Sequence, residues 1–224
     1  MRLFTQNIDG LDLLAFRSAN KDDLEKVLCV HGSLGVASCE FCGTQADFKA
    51  FQENVKKNIK DIYANRGDAA RERDSHPPLC SECGRPGVKP STVLYGRPLP
   101  SAFAKNLQQD LASADLVVVA GTSCTVSPAN MVALGAECRR LVINKESLRD
   151  VIGDGRREYS FGSVGGCVDE GENGSMGDIE ILGDADATTV ALAAELGLLE
   201  RLWAFESEMA TASREILLNA LKKF

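Results

Sequence analysis

Leu116-Val117-Val118-Val119-Ala120-Gly121-Thr122-Ser123 is the stretch on which the fold turns. Its apolar half is rich in β-branched residues, which pack well on a pleated surface, and it runs without polar alternation. A continuous apolar strand suits a parallel sheet covered on both faces. The glycine and two hydroxyls that follow mark a tight loop at the strand's carboxyl end. Leu141-Val142-Ile143-Asn144 and Ile179-Glu180-Ile181-Leu182-Gly183-Asp184 repeat the arrangement, each an apolar strand stopped by a polar residue or glycine.

Helices are expected between these strands. Phe103, Leu107 and Leu111 stand at i, i+4 and i+8, which predicts an amphipathic helix over 101–113. Asp186-Ala187-Thr188-Thr189-Val190 opens another with an acidic cap, and Gly197 ends or kinks it. Leu202, Phe205, Met209, Ile216 and Leu217 then give the apolar face of a further helix running to Phe224, read as core packing. The expected fold class is therefore α/β, an open parallel sheet with helices on both faces, in which nucleotide cofactors bind outside the carboxyl ends of strands.

Two copies of one short pattern interrupt this plan: Cys39-Glu40-Phe41-Cys42-Gly43 and Cys80-Ser81-Glu82-Cys83-Gly84. Each Cys-x-x-Cys turn brings two sulfurs to adjacent corners of one ion, so Cys39, Cys42, Cys80 and Cys83 are the expected ligands of a tetrahedral zinc ion. A thioredoxin-like dithiol needs only one such pair, and a disulfide framework needs an oxidising compartment. The 37 residues between Cys42 and Cys80 exceed the usual ribbon spacing. Phe48, Phe51, Val55, Ile59 and Ile62 recur there at helical spacing, with Gly67 as a stop, and residues 66–78 read as an exposed loop carrying His76. Cys29, Cys124, Cys138 and Cys167 have no such partners and read as small apolar residues. Residues 162–177, rich in glycine and acids, read as a flexible loop.

At 224 residues with 44% hydrophobic and 25% charged content, the chain can bury a sizeable core. Its net charge of -7 argues against a nucleic-acid surface, since phosphate neutralisation needs clustered Lys and Arg. No apolar run approaches the about 20 residues of a membrane helix. Met1-Arg2-Leu3-Phe4-Thr5 is too short and polar to begin a signal peptide, so the expected compartment is cytoplasm or nucleus.

Two polar groups complete the reading. Thr5-Gln6-Asn7-Ile8-Asp9-Gly10 follows a short apolar start, where a strand would deliver it to a ligand, although Asn and Asp beside Gly also suit an ordinary turn. His31-Gly32 follows the apolar Leu28-Cys29-Val30, and a histidine at a strand end suits a general base near neutral pH, although a lone histidine is also a common structural residue.

In order and spacing, Thr5–Gly10, His31-Gly32-Ser33, the two cysteine pairs, Lys89-Pro90, Val93-Leu94-Tyr95-Gly96, Leu99-Pro100 and Gly121-Thr122-Ser123 with Val126 and Pro128 resemble the sirtuin family. Leu141 to Glu146 and Gly183-Asp184-Ala185-Asp186 look like that family's adenosine-side segments, so the resemblance runs from residue 3 to about 200. Thr5 to Leu11 and Leu141 to Glu146 are most similar to its class I branch.

The resemblance implies a Rossmann-like NAD-binding domain over 1–36 and 89–224, with a zinc-binding module and helical insertion at 37–88. It implies an NAD-dependent protein-lysine deacetylase that releases nicotinamide and passes the acetyl group of a modified lysine to ADP-ribose. His31 matches the histidine that deprotonates a ribose hydroxyl, and Asn7 and Asp9 match residues that orient the ribose, a water and the nicotinamide amide. Gln6 matches a ribose contact, Gly121, Thr122 and Ser123 the loop around phosphate and ribose, Asn144 an adenosine ribose contact, and Ala185 lies in an adenosine-side segment. Val93, Leu94, Tyr95 and Gly96 match the strand that pairs with the substrate, an acetylated lysine-containing peptide or protein. Zinc would be structural, because four thiolates leave no open coordination position.

The family's opening strand with Gly-Ala-Gly-x-Ser, and the Ile-Pro-Asp-Phe-Arg segment after it, do not occur here, so the first strand of the sheet is expected to be missing. Arg97 stands where an acid is usual and Cys124 where leucine is usual. These departures keep an alternative open: a catalytically inactive, truncated relative acting as a zinc-stabilised protein-binding module.

Overall fold

The computed structural model describes residues 1–19, 21–59, 75–152, 157–161, 164–170 and 176–222. The chain divides into two compact units, Met1–Asn106 and Leu107–Phe224.

In the first unit, β1 (Leu3–Thr5) and β2 (Val27–Cys29) pair in parallel, with Leu3 opposite Val27 and Thr5 opposite Cys29. Parallel neighbours need a crossover, and α1 (Leu11–Ala19) with a 3₁₀ turn (Lys21–Lys26) supplies it. A second sheet is antiparallel: β3 (Gly32–Cys39) lies between β4 (Gln45–Ala46) and β5 (Val88–Thr92). Against it packs α2 (Phe48–Asn58), whose Asp47 cap accepts the Ala50 N–H at 2.7 Å. Ala37, Cys39, Cys80 and Val88 are buried there beside Phe48 and Phe51. The expected helix is shorter than its periodicity suggested, because Ile59 is already extended (φ -98°, ψ 130°), while Ile62 and Gly67 lie outside the described residues. At the other end of the unit, Phe4 meets Phe103 edge to face at 5.9 Å.

α3 (Ser101–Ser113) is the helix expected from Phe103, Leu107 and Leu111. In the second unit, β6 (Leu116–Ala120), β7 (Arg139–Asn144), β8 (Arg157–Phe161), β9 (Val164–Glu170) and β10 (Met176–Leu182) form one sheet in the order β6-β7-β10-β9-β8. The three strands read from the apolar runs are the parallel ones, with Val119 opposite Val142 and Val142 opposite Glu180. β9 and β8 extend them antiparallel. The segment read as a glycine-rich loop thus holds a strand over 164–170 and the start of β10, while 162–163 and 171–175 lie outside the described residues. Glycine lowers strand propensity, but backbone pairing on both sides does not depend on side chains.

Val117, Val119 and Val142 pack with residues of α4 (Met131–Leu134) and α5 (Arg149–Ile152). Arg140 binds this layer together: its backbone N–H and Nε donate to the two oxygens of Asp178 at 2.9 and 2.8 Å, and its remaining nitrogens reach the Ala133 and Ile152 carbonyls. Among the described residues β6 is the last strand of this sheet, and Leu116 and Val118 on its other face are 49% and 54% exposed. α6 (Ala185–Glu195) packs on β7 and gathers α7 (Leu199–Trp203) and α8 (Thr211–Leu221) around Leu217. The single helix expected after Gly197 is therefore broken. Met209 and Ala210 are extended, and the reversal buries Leu217 completely against Val190, Ala193 and Leu199, a gain that a straight helix would forgo. Among the described residues no helix is long and apolar enough to cross a membrane.

Candidate functional site

At the end of β1 the buried Thr5 hydroxyl donates to the Asp12 carboxylate and accepts the Asn7 N–H at 3.1 Å. The Asn7 side-chain amide, itself exposed, reaches the same carboxylate at 3.5 Å. Asp9 accepts the Leu11 N–H at 3.0 Å and so starts α1. Asn7 and Asp9 are thus set by local turn chemistry, as Asn and Asp near Gly favour.

His31 follows β2 and is tied at two points. Its C=O accepts the Val93 N–H at 2.9 Å, and its ring Nδ1 lies 3.2 Å from the Gln6 carbonyl. A carbonyl only accepts, so this bond places the proton on Nδ1 and leaves Nε2 with a lone pair in the neutral ring, the form a general base requires. Gln6, Asn7 and His31 come together in this way, joined by the Val30 N–H to Thr5 C=O and Leu34 N–H to Ile8 C=O bonds. Next to the histidine, Gly32 has φ +78°, and a Cβ there would stand 1.8 Å from the Ser91 carbonyl oxygen.

Val93 extends the pairing of β5 by one bond. Leu94, Tyr95 and Gly96 lie beyond the strand in a turn closed by the Arg97 N–H to Leu94 C=O bond at 3.0 Å, with Tyr95 wholly exposed. Arg97 leaves this turn to pair with Glu40, the residue next to Cys39.

In the second unit a cleft of about 390 Å³ opens at the carboxyl ends of the three parallel strands, lined by Gly121 to Ser123, Ile143 to Glu146 and Gly183 to Ala185. All five residues expected on the cofactor side of this unit, Gly121, Thr122, Ser123, Asn144 and Ala185, line it. Gly121 has φ +61° and donates its N–H to the Ile143 carbonyl at 3.0 Å. The Asn144 side chain donates to the Glu146 carbonyl at 2.8 Å, and Asp184 caps α6 by accepting the Asp186 and Ala187 N–H groups. The strand-end position is where open α/β sheets bind ligands.

The sulfurs of Cys39 and Cys83 are 3.7 Å apart, those of Cys42 and Cys80 3.5 Å, and all four lie within 4.8 Å of one another. Tetrahedral zinc with Zn–S bonds of about 2.3 Å sets its sulfurs about 3.8 Å apart, so the thiolates fit the ion. Gly43 and Gly84 each turn with positive φ and return an N–H to the Cys39 and Cys80 carbonyls. Hydrogen bonding at Thr44 lowers the pKa of the Cys42 thiol, which favours the thiolate, the ligating form.

The Sir2 family pattern matches residues 1–128, more than half of the chain. This protein belongs to the Sir2 family. The NAD-dependent protein deacetylase sirtuin-2 of Danio rerio is 34% identical to it over 206 residues, covering 90% of this chain and 47% of its own. The NAD-dependent protein deacetylase 2 of Caldanaerobacter subterraneus is 33% identical over 128 residues, 57% of this chain and 41% of its own. This Sir2 chain therefore spans less than half the length of these two relatives. A solved structure described as Sir2-p53 peptide-NAD+ shares the fold, with a TM-score of 0.50 at 24% identity over 68% of this chain and 55% of its own.

Thr5 stands in the polar cluster read from the sequence without a role of its own, and Asp12 is not singled out there, because a contact across seven residues leaves no periodic trace. Glu180 has no role in the apolar pattern of β10, although an acid within an apolar strand is itself a signal.

Proposed function

We propose that this Sir2 protein is an NAD-dependent protein-lysine deacetylase, moving the acetyl group of a lysine side chain onto ADP-ribose with release of nicotinamide. The observation that carries the reading is His31, held through Nδ1 by the Gln6 carbonyl with Asn7 alongside, so that Nε2 is left as a base. When bound, NAD supplies the ribose to which the acetyl group moves and the nicotinamide that leaves. His31 takes a proton from a ribose hydroxyl at Nε2; the Gln6 carbonyl steadies the imidazolium that results, because Nδ1–H still donates to it. Asn7 and Asp9 orient the ribose end and the nicotinamide amide, with Gln6 at the ribose. Gly121, Thr122, Ser123, Asn144 and Ala185 hold the adenosine and phosphate end.

The substrate is an acetylated lysine-containing peptide or protein, met along Val93, Leu94, Tyr95 and Gly96, where Val93 carries on the pairing of β5. Cys39, Cys42, Cys80 and Cys83 hold zinc in a structural role, since four thiolates complete its coordination. The net charge of -7 supports a protein rather than a nucleic-acid partner, and the site of action is cytoplasm or nucleus.

Incubation with NAD and an acetyl-lysine peptide, read by mass spectrometry, tests this. O-acetyl-ADP-ribose is expected from the parent and is lost in His31→Ala. No detectable NAD binding by titration calorimetry, or undiminished product from His31→Ala, would overturn the reading; the first outcome would leave a zinc-stabilised protein-binding module.

A further inference from the structure

Glu180 stands in the middle of β10, opposite Val142, and is buried completely. A carboxylate removed from water is costly unless donors replace the lost solvent, so a buried acid points to the donors it serves. Here one oxygen accepts the Leu148 N–H at 2.7 Å and the other the Ser147 hydroxyl at 2.8 Å. Both donors lie on the turn that follows β7. That turn begins with Asn144, whose side chain donates to the Glu146 carbonyl at 2.8 Å, and Asn144, Lys145 and Glu146 line the strand-end cleft. The turn is therefore gripped twice, from the strand beneath by Glu180 and along its own length by Asn144. Leu148 is buried beside Val142 and Ile152, so the Glu180 bond also fixes where the turn re-enters the core.

We propose that Glu180 is a positioning residue for the cleft: its carboxylate, through Ser147 and Leu148, sets the backbone that presents Asn144, Lys145 and Glu146 to the adenosine end of NAD. The inference rests on the proposed function only for the identity of the ligand; the grip on the turn is independent of it. Glutamine at this position keeps one acceptor for the Leu148 N–H and can donate to the Ser147 oxygen, whereas leucine serves neither donor.

The experiment uses the full chain and two readouts. Amide hydrogen exchange reports the turn without any ligand: in Glu180→Leu the Leu148 amide should exchange about 10- to 100-fold faster, the loss expected for a hydrogen bond to a charged acceptor, while the Val119 and Ile143 amides keep their protection. ADP-ribose, titrated calorimetrically, reports the cleft: Glu180→Leu should bind about 10-fold more weakly, and Glu180→Gln should recover most of the parent affinity. Ser147→Ala, at an exposed position and so not in danger of unfolding, should show a smaller shift of the same sign in both readouts. Unchanged Leu148 exchange in Glu180→Leu, or faster exchange with undiminished ADP-ribose binding, would overturn the proposal. A parent that binds no ADP-ribose would refute the reading of the cleft instead, and the exchange rates would still decide whether Glu180 positions the turn.

Discussion

Gly32→Ala should destabilise the first unit far more than Gly10→Ala, although both glycines have φ near +80° (78° and 82°). The left-handed conformation costs an alanine about 1–2 kcal/mol at either position. At Gly10 nothing stands within 4 Å of the added Cβ, so that strain is the whole effect. At Gly32 the Cβ would lie 1.8 Å from the Ser91 carbonyl oxygen, and contacts under 3.0 Å are essentially never seen, so the backbones must part by at least 3.0 - 1.8 = 1.2 Å. Ser91 belongs to β5, and Gly32 pairs with its neighbour Thr92, so parting the two opens the end of that sheet. The Val93 N–H to His31 C=O bond, now 2.9 Å, would pass well beyond the about 3.2 Å limit of a sound bond. Losing it and its ladder neighbour adds about 1 kcal/mol each, more if either group stays buried and unpaired. Gly32→Ala should thus cost about 3–4 kcal/mol against 1–2 for Gly10→Ala. Urea titration followed by circular dichroism gives the two stabilities, and amide exchange at Val30 and Val93 places the loss in the first unit. Equal costs for the two variants would refute the close approach of β5 to Gly32, and with it the account of how His31 is held.

Stripping zinc with a strong chelator should release the Cys39 and Cys80 amides, now donating to the Thr44 and Arg85 carbonyls, to rapid exchange while leaving the second unit unchanged; metal analysis finding no zinc in the purified protein would contradict the site. Asp184→Ala removes the acceptor for two helix-start amides and should cost about 1 kcal/mol in a urea titration, with a neutral result counting against the cap. Burial raises the pKa of the Cys124 thiol and leaves it 2% exposed, so less thiolate is present at any pH below that raised value. Iodoacetamide at pH 8 should therefore label Cys124 much more slowly in the native protein than in urea, and equal labelling would contradict its burial.

What the sequence made legible followed from short-range patterning. The apolar runs at 116–120, 141–144 and 179–182 are the three parallel strands, although on β6 only Val117 and Val119 are buried and β10 carries Glu180 within its run. The duplicated Cys-x-x-Cys located the metal cluster, since the ligand geometry dictates the spacing. Features set by partners distant in sequence were hidden. β9 is glycine-rich and is a strand because β8 and β10 pair with it. The break at Met209 and Ala210 depends on what Leu217 buries. The left-handed glycine beside His31 could be read as a turn, but the Ser91 carbonyl that forbids any side chain there could not. Roles for Gln6, Asn7 and Asn144 came from resemblance, because a polar residue near glycine looks the same in a turn and in a binding site.

β6 carries a consequence for how the protein behaves in quantity. Among the described residues it is the last strand of its sheet, with Leu116 and Val118 bare, and it has none of the devices that keep sheet edges apart, neither an inward charge, nor a proline, nor a bulge. Such a margin is a mould for any extended segment, and two molecules meeting there each find the other's hydrogen-bonding groups unengaged. The concentration at which this chain stays monodisperse therefore depends on one short strand of the second unit.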